Sequence, residues 1–316
     1  MPTNEPIASN PAAKMALRLG TRGSALARWQ AEWVASRLQE HGIAVELILI
    51  KTSGDGTTTP ITAAGGQGLF TKEIQRAVLD GRVDFAVHSL KDLPTEGVDG
   101  LLLAAVPERA GTHDAFVSNS AAALDELATG ARIGTGSRRR QSQLLHARPD
   151  LQVLDIRGNV ETRLRKLDEG EFDAIILAEA GLKRLGLQDR IRQLLAHDVM
   201  LPAVGQGALG LETRSDDSTT IAAVKQLDHA TSHASIIAER SLLAALRAGC
   251  LAPVGALAGV KSSELRLAGV VLSVDGTQRI TAAAGGPIAS AEAIGNDVAK
   301  QLIAQGAAEL IATSHR

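Results

Sequence analysis

LRLGTRGSALARWQ, residues 17–30, passes from an alternating apolar run through a Gly/Arg/Ser turn into the start of a helix. The strand begins in ALRL (16–19). Ser24 stands where a helix N-cap is wanted, and Leu26, Trp29, Val34 and Leu38 fall roughly on one face of a helix predicted over 24–41. AVELILI (44–50) follows as a second strand. A strand, a helix and a strand in this order form a parallel crossover unit, which selects α/β architecture. IGTGSRRRQSQLL (133–145) repeats the design further along.

The rhythm continues outward from both copies. A helix at 71–80, VDFAVHSL (83–90) and LLLAAV (101–106) complete a first unit. DAFVS (114–118), a helix at 123–129, ARIGT (131–135), a helix at 137–147, QVLDI (152–156) and DAIILA (173–178) form a second, with VPERAG (106–111) as the crossover. Two similar doubly wound lobes with a cleft between them are expected. A third, α+β unit starts near 230. Its helix at 232–247 leads into LAPVGALAGV, ELRLAGVVLSVDG and QRITAAAGG, an antiparallel meander with Asp-Gly at a turn, then a helix at 290–305. The expected division is lobe 1 at 16–107 with 205–226, lobe 2 at 112–200, and a C-terminal domain at 230–316. Residues 1–15 read as a disordered leader without the apolar core of a signal peptide.

The 316 residues carry a formal net charge of −2, with no basic excess to suggest nucleic acid or a membrane surface. Aromatic residues are 2% of the chain and Tyr is absent, so recognition by stacking fits poorly. No apolar run approaches the length that spans a bilayer, and a cytoplasmic protein is expected. Of 33 basic residues 24 are Arg, eleven of them between Arg132 and Arg192. A GC-rich genome favours Arg; so does planar recognition of carboxylate or phosphate.

Their placement favours recognition. Arg22 and Ser24 lie at a strand-to-helix turn, a natural anion site, although Ser24 also serves as a cap. Thr135, Ser137, Arg138, Arg139 and Arg140 occupy the equivalent turn of lobe 2, where Gly134 and Gly136 would let a ligand approach. In DIRGNVETRLRKLD, Arg157 follows a strand and Arg163 lies one turn above Val160. Lys183 and Arg184 follow the next strand. Basic groups thus recur at three strand ends, where open α/β sheets bind ligands. In lobe 1, VDFAVHSLKDLP places Ser89, Lys91 and Asp92 at a strand end. Asp92 suits stabilisation of developing positive charge or proton transfer, with a weak surface pair to Lys91 as the plain alternative. His88 faces opposite to Ser89 and suits a structural role at least as well as a catalytic one. Residues 52–68 read as a Gly/Thr-rich lid. No cluster with metal-ligand spacing stands out. Cys250, the one cysteine, can form no internal disulfide; it is a buried filler, a redox liability or a nucleophile.

TRGSALARWQ, TSGD, GLFTKE, AVHSLKDLP, GTGSRRRQSQL, IRGNVETRL, AGLKRLG, LPAVGQGALGLE and GCLAPVG, in this order from about residue 16 to 255, resemble the porphobilinogen deaminase family. The resemblance implies two periplasmic-binding-protein-like lobes, a C-terminal α+β domain and a transferase of tetrapyrrole (heme) biosynthesis. Such an enzyme joins four porphobilinogen molecules into hydroxymethylbilane with release of ammonia. It further implies a dipyrromethane cofactor bound to Cys250 through a thioether, with Asp92 as the catalytic carboxylate. Lys91, Ser89, Arg139, Arg140, Ser137 and Thr135 are the implied cofactor contacts. Arg22, Ser24, Arg157, Arg163, Arg184, Gln206 and Lys72 are the implied substrate contacts. A monomer that hands its product to the next enzyme of the pathway is expected. Gln67 replaces a Lys common in relatives, Arg138 replaces an apolar residue, and PERAGTHDAFV departs from the usual "DPRDA" form. A two-lobed small-anion binding protein without turnover is the alternative, and it gives Cys250 nothing to do.

Overall fold

The computed structural model describes residues 16–51, 71–249 and 252–314. The expected leader, the lid at 52–68 with Gln67, and Cys250 lie outside the described residues.

The chain opens with β1 (Leu17–Thr21), α1 (Ala25–Glu40), β2 (Val45–Leu49), α2 (Lys72–Leu79), β3 (Phe85–Ser89) and β4 (Leu101–Ala105). It crosses to a second sheet through β5 (Asp114–Ser118), β6 (Arg132–Gly134), α3 (Arg138–Ala147), β7 (Gln152–Leu154), α4 (Val160–Asp168), β8 (Ala174–Ala178), α5 (Glu179–Arg184) and β9 (Gln193–Leu195). It then returns as β10 (Leu209–Arg214) and α6 (Ser218–Val224). The last unit comprises α7 (Ala230–Ala245), β11 (Val254–Lys261), β12 (Glu264–Leu272), β13 (Arg279–Pro287), α8 (Ala291–Ala304) and α9 (Ala307–Thr313).

The first sheet has the order β2-β1-β3-β10-β4 and the second β7-β6-β8-β5-β9. Each puts three parallel strands beside one antiparallel strand. The inserted strand is β10 in lobe 1 and β5 in lobe 2, so each lobe is completed by a strand that has just crossed from the other. The expected doubly wound lobes are present, but their sheets are mixed rather than purely parallel.

The repeat extends to side chains. In β1, Arg18 pairs with Asp84 at 2.6 Å and its backbone N–H donates to the same carboxylate. In β6, Arg132 does the same with Asp173, the pair closing to 3.0 Å. Each aspartate sits just before the next central strand, so one bracket sets the start of β3 and another the start of β8.

Apolar residues fill both faces of each sheet. Leu19, Val34, Leu38, Phe85 and Leu211 are closed to solvent in lobe 1. Burying such a side chain is worth about 1.5–3 kcal/mol. The Ser24 cap accepts from Ala27 N, and α1 buries Gln30, Ala31, Val34 and Leu38. Leu26 and Trp29, expected on that inner face, are half-buried, and Trp29 lies under Arg184 of lobe 2. The helix predicted at 123–129 is instead one 3-10 turn, Leu124–Glu126. Leu127 turns into extended backbone and ends it, and Arg148 donates to the carbonyls of Leu124 and Leu127.

In the C-terminal domain β11, β12 and β13 form an antiparallel sheet. Helices α7 and α8 pack on it around Leu242, Val271, Val298 and Leu302. Its β12–β13 turn reaches α3, where His146 Nδ1 lies 2.8 Å from Gly276 O.

Candidate active site

Residues 89–95 form a wall between two recesses. Ser89 and Asp92 open into one, of about 480 Å³, with Arg22, Ser24, Gln30 and Thr71. Lys91 opens into the other, of about 570 Å³, with Ser137 and Arg139 of lobe 2 and Leu243 and Gly249 of the C-terminal domain. The short 3-10 turn Leu90–Asp92 produces this division, since it follows β3 directly and turns neighbouring side chains apart. Leu90, 1% exposed, anchors the turn, and its N–H donates to Ala208 O.

In the first recess, Asp92 is exposed. Ser89 is held by Gln30, whose Nε2 donates to Ser89 Oγ at 2.8 Å. Ser24 both caps α1 and lines the recess. In its lining His88 Nε2 lies 3.0 Å from Glu212 Oε2, and Gln75 donates to the other oxygen of Glu212. His88 is therefore a paired, nearly closed residue of the recess wall. Lys72 is exposed at the start of α2, next to the buried Thr71 that lines the recess.

The second recess is electropositive. Burial pulls the Lys91 ammonium down to about 8; Asp92 opposes this, and Arg140 adds to it from across the cleft. Arg139 is buried, with one terminal nitrogen 2.7 Å from both Asp114 Oδ2 and Leu201 O. Its Nε has no hydrogen-bond partner among the described residues. Arg140, also buried, donates to Asp114 and to Ile176 O. Burial pushes the Asp114 carboxyl upward, but the charges of Arg139 and Arg140 and their hydrogen bonds hold it well below the usual carboxylate range.

Lobe 2 adds further cations at the mouth. Arg163 donates to Gly158 O at 2.8 Å. Burial, with Arg140 and Arg157 nearby, lowers its pKa to about 10, and Asp92 works in the opposite direction from lobe 1. Arg157 is paired with Asp155 at 2.8 Å. Arg184 crosses the cleft, donating to Gly207 O at 2.7 Å with its guanidinium over Trp29. Its pKa too is lowered to about 10, by burial. Lys183 turns away onto Glu179 at 2.6 Å.

Three expected contacts are occupied by protein. Gln206, fully buried, donates to Thr112 O, His113 O and Asp114 Oδ1, tying the two crossing segments together. Thr135, 4% exposed, accepts from Ser137 N and shapes the turn before α3. Arg140 spends its fork on Asp114. The glycines of that turn serve packing as well: a Cβ on Gly134 would meet Ile175 and Phe172 at 3.0 Å, and one on Gly136 would meet Asp155 and Ile156 at 3.0 Å. Gln30 and Glu212 were not anticipated. Gln30 carried a signal, as the one polar residue in the four-residue spacing Leu26, Gln30, Val34, Leu38 on an apolar helix face.

Two families match the sequence. One, described as porphobilinogen deaminase, dipyromethane cofactor binding domain, covers residues 17–222; the other, porphobilinogen deaminase, C-terminal domain, covers 233–304. Porphobilinogen deaminase of Trichlorobacter lovleyi is 50% identical over 293 residues, covering 92% of this chain and 94% of its own. That of Syntrophotalea carbinolica is 47% identical over 300 residues, covering 94% and 95%. That of Geobacter sulfurreducens is 48% identical over 299 residues, covering 94% of each. Among solved structures, the methionine binding protein MetQ matches 72% of this chain and 93% of its own at a TM-score of 0.45 and 14% identity.

Proposed function

The chain belongs to the porphobilinogen deaminase family, and on that premise we propose how its two recesses divide the work. The reaction joins four porphobilinogen molecules head to tail into hydroxymethylbilane, releasing ammonia at each addition, on a dipyrromethane primer. In this reading residues 16–107 with 205–226 form the lobe of Asp92, 112–200 the arginine-rich lobe, and 230–316 the domain of Cys250.

The observation that carries the assignment is the parting of Lys91 and Asp92 to opposite sides of one wall. Gly249 and Ala252, which flank the Cys250 position, line the recess of Lys91, Ser137 and Arg139. The donors there suit a group rich in carboxylates. Arg139 Nε is buried without a partner among the described residues, and Lys91 is a cation that burial has made reluctant to stay charged. Each would be relieved by an incoming carboxylate. Cys250 would hold the primer through a thioether, Arg139 and Lys91 would hold the primer's carboxylates, and Ser137 would add a hydroxyl. When bound, the dipyrromethane would supply the free α-carbon that takes the first pyrrole, each later pyrrole joining the free end of the chain.

The recess of Asp92 receives the substrate. Arg22 and Ser24 bind its carboxylates at the start of α1, with Ser89 oriented by Gln30. Departure of ammonia leaves positive charge on the substrate pyrrole, and the Asp92 carboxylate stabilises it. A preorganised counter-charge of this kind, an oxyanion hole with its sign reversed, is worth about 3–4 kcal/mol. Arg157, Arg163 and Arg184 serve the lengthening product, whose carboxylates accumulate with each addition.

We extend the reading to a cytoplasmic monomer that passes its product to the next enzyme of the pathway. Purified protein given porphobilinogen should release one ammonia per pyrrole consumed and form a linear tetrapyrrole. Binding of porphobilinogen without consumption would leave a two-lobed anion binder instead.

A further inference from the structure

The C-terminal domain hydrogen-bonds to the wall between the recesses through Arg240. Arg240, on α7, donates to Leu93 O at 2.9 Å and to Pro94 O at 2.6 Å. These carbonyls belong to the two residues directly after Asp92. Pro94 has no N–H of its own, and Leu93 N donates back to Leu90 O, so Arg240 ties these residues to a segment outside the turn. One helical turn before Arg240, Ile236 is fully buried among Leu90 and Leu93. Leu243, three residues after Arg240, lines the recess of Lys91. Residues 236, 240 and 243 form one stripe along α7, and that stripe faces the wall.

The helix is fixed independently of this grip. Glu239, next to Arg240, is fully buried and accepts from Arg109, Gly205 N and Ala258 N. It therefore binds α7 to both crossing segments and to β11. A helix so fixed offers Arg240 as a rigid hold. Beyond it α7 ends at Ala245, and the chain reaches Gly249 at the edge of the same recess.

We propose that Arg240 is a positioning residue for the reaction: it sets the loop of Asp92 against the domain that carries the primer, without touching substrate. The proposal rests on the reading of Asp92 above. Loss of the hold lets Asp92 drift relative to the bond being made, whereas binding by Arg22 and Ser24 across the recess is left in place. The signature is a fall in kcat with KM little changed, and it is confined to this loop.

Arg240→Met and Arg240→Lys in the full-length protein test it. Hydrogen exchange of the segment 88–95 should quicken in the Met variant while exchange in β6 stays at the parent rate. A displacement of about 1 Å costs on the order of 10²-fold in turnover, and the expected loss in kcat is of that size with KM within about threefold. Lys, which keeps the charge but not the fork, should fall between Met and parent in both readouts. If the Met variant does not fold, the comparison of Lys with parent decides alone. Unchanged exchange at 88–95 together with kcat within twofold of parent overturns the proposal, as does faster exchange spread evenly over the chain. Exchange reads the hold even in protein that proves inactive on porphobilinogen, so failure of the functional reading and failure of this one are told apart.

Discussion

Arg140 donates twice to Asp114 Oδ1, at 2.9 and 2.7 Å, while Arg139 takes Oδ2 at 2.7 Å, so one buried carboxylate is shared by two guanidiniums and one positive charge is left over. Removing it leaves two buried cations without a counter-charge. Asp114→Asn should destabilise the protein by about 3–5 kcal/mol at neutral pH, read from the denaturant midpoint. The folded-state pKa lies below the unfolded one, so this stabilisation is present above about pH 4 and is lost as pH falls below it. The gap between variant and parent should therefore narrow in acid. An equal gap at pH 3 and pH 7 would contradict the assignment.

Lys91 has the same slope at the other end of the pH scale, as a cost that fades when pH rises. Its folded pKa is lowered to about 8 by burial, from 10.5. The unfolded chain therefore holds the proton more tightly, and the cost of keeping Lys91 charged is complete below pH 8 and fades toward 10.5. Primer-free protein should gain stability from this group between pH 8 and 10, and Lys91→Met should remove that gain. Parallel pH profiles for parent and variant would show that Lys91 is not strained.

Asp92→Asn keeps the shape of the side chain and removes its charge. The variant should retain the primer mass and lose about 10²–10³-fold in kcat, measured as porphobilinogen consumption. A near-normal rate would take Asp92 out of the mechanism.

Gly207 sits where the two crossing segments meet. Its φ is +84°, and a Cβ there would lie 2.6 Å from Ala110 O and 2.7 Å from Gly111 O. Gly207→Ala should cost about 1–3 kcal/mol in strain and weaken the contact of Arg184 with Gly207 O. An unchanged denaturation midpoint would mean that the crossing yields easily.

The features legible in the sequence were the local ones. The capped helix after β1, its copy after β6, and the Asp-Gly turn between β12 and β13 each depend on residues adjacent in the chain. The antiparallel strands were harder to see. LGLETR places Glu212 and Thr213 at buried positions, and the partners that make this tolerable for Glu212, His88 and Gln75, lie more than a hundred residues away. The arginine run at 138–140 announced an anion site, but Asp114, 25 residues from Arg139, already occupies much of its capacity. Arg148 likewise reaches across to the carbonyls of Leu124 and Leu127, beside the short turn that stands where a helix was expected. Long-range polar pairing, which propensity and period do not register, accounts for these differences.

Cys250 as the anchor of the primer is tested most directly by intact mass. Active parent protein should exceed its sequence mass by one dipyrromethane, and Cys250→Ser should match its sequence mass and be inactive. Active parent protein at its bare sequence mass would contradict the account.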